Sequence, residues 1–121
     1  MKMNVIIADD NEQFRTSFKL LLRNLPEVDL GEIFETNNGR DCIELVENNN
    51  IHIVFMDAEM PVMDGELATK HLRQQNRYLK IFAVSFHNEI NWVEKMLDAG
   101  ASHYFLKDNI NIETLIKALK N

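Results

Sequence analysis

The sequence predicts an α/β fold: a doubly wound, five-stranded parallel sheet with helices on both faces. Three observations point to it. Short apolar runs alternate with amphipathic helical stretches at a spacing that suits βαβ units. Two of those runs, Val5-Ile6-Ile7-Ala8 and Ile51-His52-Ile53-Val54-Phe55-Met56, are nearly continuous, as strands buried on both faces are. Both stop on carboxylates, at Asp9-Asp10 and at Asp57.

The elements follow in order. Val5 to Ala8 is the first strand. Phe14, Phe18, Leu21, Leu22 and Leu25 then mark one face of a helix, with Asp10 or Asn11 placed to cap its amino end and Pro26 just past its carboxyl end. Val28 to Glu35 reads as a weaker strand, interrupted by Gly31 and acidic residues, which suits a sheet edge. Thr36-Asn37-Asn38-Gly39 is turn chemistry, and Cys42, Leu45 and Val46 mark a second helix closed by Asn48-Asn49-Asn50. After the third strand Pro61 interrupts the chain, since the residue before a proline is steered away from helix. A third helix spans about Asp64 to Gln75, with Leu67, Ala68 and Leu72 expected inside. Leu79 to Val84 is the fourth strand, ending at Ser85. The fourth helix, about Asn88 to Asp98, carries Trp92, Val93, Met96 and Leu97, and Gly100 suits its carboxyl cap. Ser102 to Leu106 is a short fifth strand ending at Lys107, and Ile112, Leu115, Ile116 and Leu119 form the face of a fifth helix.

Right-handed crossovers and the common doubly wound order give the flavodoxin-like arrangement 2-1-3-4-5. Its crevice opens between strands one and three at their carboxyl ends, flanked by Asp9, Asp10 and Asp57.

Composition narrows the function. The chain has 121 residues, the size of one domain, and a net charge of -6 that repels phosphate backbones, so no direct nucleic-acid binding is expected. No apolar run approaches the ~20 residues of a membrane span. Nothing signal-like opens the chain, so the cytoplasm is the expected location. The single cysteine, Cys42, excludes an internal disulfide and any Cys-based zinc cluster, and it reads as a small buried hydrophobe. His52, His71 and His103 lack metal-ligand spacing and are expected to be structural or exposed.

Three carboxylates at one crevice repel one another unless a cation sits among them, and an oxygen-only set suits Mg²⁺ with a phosphoryl group. The fourth strand adds the Ser85 hydroxyl and the fifth the Lys107 ammonium, a donor and a point charge for phosphoryl oxygens. Asp57, on the central strand, is the natural nucleophile, since carboxylates do form aspartyl phosphates. Taken singly, Asp10 could be a cap, Ser85 a turn residue and Lys107 a surface charge. Their joint placement at the ends of strands one, three, four and five selects the phosphoryl site.

Four segments carry a resemblance. They are Ile6-Ile7-Ala8-Asp9-Asp10, Met56-Asp57-Ala58-Glu59-Met60-Pro61-Val62-Met63-Asp64-Gly65, Ala83-Val84-Ser85 and Gly100-Ala101-Ser102-His103-Tyr104-Phe105-Leu106-Lys107. Together they resemble the signature regions of response-regulator receiver domains of two-component systems, over the whole chain, 1–121. The resemblance implies that Asp57 accepts phosphate from a phosphohistidine of a sensor histidine kinase or phosphotransfer protein. It implies that Asp10, Asp57 and the backbone carbonyl of Glu59 ligate Mg²⁺, with Asp9 acting through water. Ser85 would be the switch hydroxyl, Lys107 the counter-ion and Tyr104 the ring that reorients with Ser85. The fourth helix, fifth strand and fifth helix would be the output surface. An apolar patch there, from Ile90, Trp92, Met96 and Leu97, would suit a homodimer or partner contact. The domain would catalyse only its own phosphorylation and dephosphorylation.

Departures from the family pattern are informative. Asp108 follows Lys107 where many receivers carry proline, and with the Ile-Ala-Asp-Asp opening this looks more like receivers joined to a helix-turn-helix DNA-binding domain. The chain is then a fragment of such a regulator or a stand-alone relative. Glu59 and His87, each two residues past a site residue, border the site as candidates for tuning phosphoryl lifetime, or as solvated loop residues. Two rival readings are weighed. A haloacid dehalogenase-type phosphatase needs an aspartate where Glu59 stands. A flavodoxin-like carrier of a flavin nucleotide needs an anion-binding first loop, where this chain has Asp9-Asp10-Asn11-Glu12.

Overall fold

The computed structural model describes residues 2–121. Strands and helices alternate as β1 (Met3–Ala8), α1 (Glu12–Arg23), β2 (Leu30–Thr36), α2 (Gly39–Asn48), β3 (Ile53–Met56), α3 (Gly65–Gln75), β4 (Lys80–Ser85), α4 (Ile90–Ala99), β5 (His103–Leu106) and α5 (Ile112–Lys120). The five strands form one parallel sheet in the order β2-β1-β3-β4-β5, with β2 at an edge as its broken apolar pattern predicts. Ala8 pairs with Met56, so the next residues, Asp9 and Asp57, leave the sheet side by side.

Alternation within each strand divides the core in two. Ile6, Val54, Met56, Ile81 and Ala83 face α2, α3 and α4, where they pack against Cys42, Ala68, Leu72 and Met96. Val5, Ile7, Ile53, Phe55, Phe82 and Val84 face α1 and α5, against Phe18, Leu22, Leu115 and Leu119. An aromatic row crosses this second face: Phe14 stacks on Phe18 at 5.3 Å, Phe18 meets Phe55 edge-on at 4.8 Å, and Phe55 meets Phe82 at 5.6 Å. Cys42 is buried, and burial pushes its thiol up to about 12, which makes it inert. His52 is structural, its Nδ1 accepting the Asn4 amide at 3.0 Å.

Side-chain caps start four helices. Asn11, Asn38, Asp64 and Asn111 accept backbone N–H groups of Phe14, Asp41, Leu67 and Thr114. Asn11, not Asp10, thus caps α1. Gly100 ends α4 at φ 124°, its N–H on Leu97 O and the Ala101 N–H on Met96 O. Arg73 is a staple that no sequence motif announced, donating to Gly100 O at 2.9 Å and to Leu79 O at 2.7 Å.

Several sequence expectations need correction. Leu67 is 53% exposed, whereas Thr69 is fully buried. The Gly65 backbone is pressed against Asp57, which fixes the rotation of α3 so that 65, 68, 69 and 72 face inward. Leu67, about 100° around the helix from Ala68, faces out. Met96 belongs to the core and not to an exposed patch, leaving Ile90 and Leu97 outside. Ile112, at the first position of α5, is also exposed. β2 begins at Leu30 rather than Val28 because the chain turns first at Glu27, with φ 64°. β4 and β5 each start one residue later than expected, at Lys80 and His103, and α4 starts two later, at Ile90.

Phe55 touches both Phe18 and Phe82 with 1% of its surface exposed. Phe55→Ala is expected to cost about 3–5 kcal/mol of stability, read as a lowered urea midpoint with an unchanged slope.

Candidate functional site

The charged residues of the site stand just past the carboxyl ends of strands, and Ser85 is the last residue of β4. Asp9 follows β1, its N–H on Thr36 O at 3.0 Å and its Oδ1 accepting the Asn11 N–H at 2.9 Å. Asp57 follows β3, its N–H on Ala8 O at 2.9 Å. Lys107 follows β5, its N–H on Ser85 O at 2.9 Å. Backbone ladders thus extend one step past the strands and fix where the side chains start.

One carboxylate oxygen from each of Asp9, Asp10 and Asp57 lies within 4.8 Å of the other two. Asp9 and Asp57 are buried, and Asp10 is exposed at the rim. Lys107 Nζ lies 2.5 Å from Asp9 Oδ2 and 3.4 Å from Asp57 Oδ2. Lys107 is thus an ion-pair partner of both buried carboxylates. Burial first, then the Asp9 charge, push the Asp57 carboxyl up to about 7, against the opposing pull of Lys107 and of the Glu59 N–H that it accepts. A divalent cation fits this donor set: all candidate ligands are oxygens, three carboxylates meet within 4.8 Å, and the one ammonium beside them contacts only two.

Two aromatic rings flank the ammonium, Phe14 at 4.6 Å and Phe86 at 5.2 Å from Lys107 Nζ. The site opens as a cleft of about 310 Å³ lined by Asp10, Asn11, Asp57, Glu59, Ser85, Phe86, His87 and Lys107. Ser85 is buried and its Oγ accepts the His87 N–H at 3.1 Å. Tyr104 is half-buried, and its hydroxyl donates to His87 O at 2.7 Å. His87 also hydrogen-bonds through Nε2 to the Glu59 carboxylate, and that hydrogen bond holds the imidazole above its ordinary pKa. The other face of this cluster is Trp92, stacked on His87 at 3.9 Å with the rings 4° from parallel.

All the residues singled out from sequence therefore meet in one region: Asp9, Asp57, Ser85 and Lys107 at its centre, Asp10 at its rim, and Glu59, His87 and Tyr104 around it. Sequence reasoning missed Phe14 and Phe86 as neighbours of Lys107, and Trp92 as a neighbour of His87. An exposed aromatic directly after Ser85 was the available signal for Phe86.

Comparison with known proteins shows the family. The family described as "Response regulator receiver domain" matches residues 5–120, and the chain belongs to it. The chain is 34% identical over 119 residues to the transcriptional regulatory protein DegU of Brevibacillus brevis, covering 98% of this chain and 49% of that protein. It is 32% identical over 115 residues to the nitrate/nitrite response regulator protein NarL of Escherichia coli K12, covering 95% of this chain and 52% of that protein. The chain thus spans about half the length of the curated relatives it matches. Among solved structures, a DNA-binding response regulator of the LuxR family from Staphylococcus aureus aligns at TM-score 0.84 and 28% identity, over 98% of this chain and 96% of that one. Among the described residues no helix is long and apolar enough to cross a membrane.

The raised Asp57 pKa makes stability depend on pH. The fold favours the protonated carboxyl, so the group costs nothing below its usual value near 3.8 and costs most once the pH has risen through about 7. In chelator, Asp57→Asn is expected to stabilise the domain at pH 8 by as much as about 4 kcal/mol, about 1.36 kcal/mol for each unit of the shift. That gain should shrink as the pH falls through 7 and vanish near 4. Urea melts of both proteins across this range check it, and a gain independent of pH would contradict it.

Proposed function

We propose that this receiver domain takes a phosphoryl group onto Asp57 from the phosphohistidine of a sensor kinase or phosphotransfer protein, with Mg²⁺ as cofactor. The observation that carries this reading is the meeting of Asp9, Asp10 and Asp57 within 4.8 Å, with the Lys107 ammonium among them. Asp10, Asp57 and the Glu59 backbone carbonyl would hold the cation, with Asp9 in support through water. When bound, Mg²⁺ neutralises charge on the carboxylates and on the phosphoryl oxygens.

The chain's own residues do the rest. An Asp57 carboxylate oxygen forms the bond to phosphorus as the donor's P–N bond breaks, and the electron pair returns to the donor imidazole. Lys107, held between Phe14 and Phe86, pairs with a phosphoryl oxygen. Ser85 donates its O–H to another while its lone pair stays available to the His87 N–H. Tyr104 follows Ser85, and the surface of α4, β5 and α5 carries the change to an output segment or a second copy, where Ile90 and Leu97 offer exposed apolar contact. Relatives that are named regulators of transcription support a DNA-binding output elsewhere in a longer protein, since a net charge of -6 disfavours contact by this domain. Catalysis is confined to the domain's own phosphorylation and dephosphorylation, in the cytoplasm. Neither rival reading gains support: Glu59 occupies the place of the phosphatase acid and is bound to His87, and the loop Asp9-Asp10-Asn11-Glu12 would repel a flavin nucleotide's phosphate.

Incubation with Mg²⁺ and acetyl phosphate, followed by intact mass, is expected to add one phosphoryl group of about 80 Da to the wild type and nothing to Asp57→Asn. Modification of both, or of neither, would reject the assignment.

A further inference from the structure

α4 differs from the other helices in how it begins. Among the described residues, four helices start on an Asn or Asp side-chain cap, whereas the cap residue of α4, Glu89, makes no side-chain hydrogen bond. The first turn of α4 is tied to the site by a ring instead. Trp92 lies flat on His87, 3.9 Å away and 4° from parallel, and Lys95 Nζ stands 5.4 Å from the Trp92 ring. His87 in turn spans the side of the Asp57 cleft that faces α4, through its hydrogen bond to Glu59 across the gap between the β3–α3 and β4–α4 loops. The His87 backbone is bound at both ends, N–H to Ser85 Oγ at 3.1 Å and carbonyl to Tyr104 at 2.7 Å. The imidazole is bordered by Glu59 at Nε2, by the Glu89 carboxylate 3.6 Å from Nδ1 and, across its face, by the indole.

We infer that Trp92 is a positioning residue for the phosphorylation site, holding the His87 imidazole flat against Glu59 so that this bridge keeps water from the acyl phosphate on Asp57. The inference rests on the phosphoacceptor reading above. Hydrolysis forms a P–O bond from a solvent water as the P–O bond to Asp57 breaks. The carboxylate leaves with the electron pair, and the water's protons go to phosphate and solvent. A bridge across the cleft wall removes one approach for that water. A large, flat side chain on α4 thereby sets how long the signal lasts without touching the reacting atoms.

The test is the rate of phosphoryl loss, followed by intact mass after phosphorylation with acetyl phosphate and Mg²⁺ and removal of the donor. His87→Ala and Trp92→Leu are each expected to speed the loss roughly two- to tenfold, the range of an aromatic contact. Leucine keeps apolar volume on the half-buried face of α4, so folding is preserved while the ring is lost, and Trp92→Phe should restore most of the lifetime. Because Trp92 acts through His87, Trp92→Leu should add nothing in a His87→Ala background. Unphosphorylated protein supplies an independent readout, since Trp92 is the single tryptophan and its emission should change in His87→Ala. A Trp92→Leu effect that persists without His87, a lifetime indifferent to Trp92, or emission indifferent to His87 would overturn the inference alone. A wild type that takes no phosphoryl group would instead reject the phosphoacceptor reading.

Discussion

Charge crowding at the carboxyl end of the sheet is the constraint on which the rest depends. The register of β1 against β3 forces Asp9 and Asp57 to emerge side by side, and burial denies both the water that would screen them. Lys107 is the internal answer, paired with both Asp9 and Asp57, yet burial and then the neighbouring Asp9 charge still push the Asp57 carboxyl up. A receiver needs that imbalance. A site satisfied by its own lysine would have little appetite for a cation, and without the cation little for an anionic phosphoryl group.

The remainder of the fold supports this cost. The aromatic row from Phe14 to Phe82 lies directly beneath the site on the α1 and α5 face. Its upper end, Phe14, also covers the Lys107 ammonium. Core and site are thus continuous, and the hydrophobic burial that stabilises the sheet also removes water from its charged edge.

Much of this was legible in one dimension. A strand buried on both faces is a continuous apolar run, and a residue that ends such a run on a charge stands out, which is how Asp9, Asp57 and Lys107 declared themselves. Ser85 followed from the same rule at β4. What was not legible depends on the rotation of a helix or the path of a loop. Leu67 and Thr69 exchange places because Gly65 abuts Asp57, a contact between residues eight apart in sequence but touching in space. The His87–Trp92 stack depends on how the chain turns between Ser85 and Ile90, for which no pattern of residue types is diagnostic. Arg73 serves four carbonyls scattered over loops, and so looks in sequence like any charged residue on a helix.

The two loops that border Asp57 are built to opposite specifications. A methyl group added at Gly65 would lie 1.9 Å from the Asp57 carbonyl oxygen, and one at Gly39 would lie 2.6 Å from Met63 O, so backbones there meet with no side chain between them. The Gly39 N–H also bonds Met63 O at 2.9 Å, bolting the start of α2 to the same loop. That flank of Asp57 is held by backbone against backbone, whereas on the α4 flank the contacts are made by side chains, Glu59 with His87 and His87 with Trp92, which can turn about their own bonds.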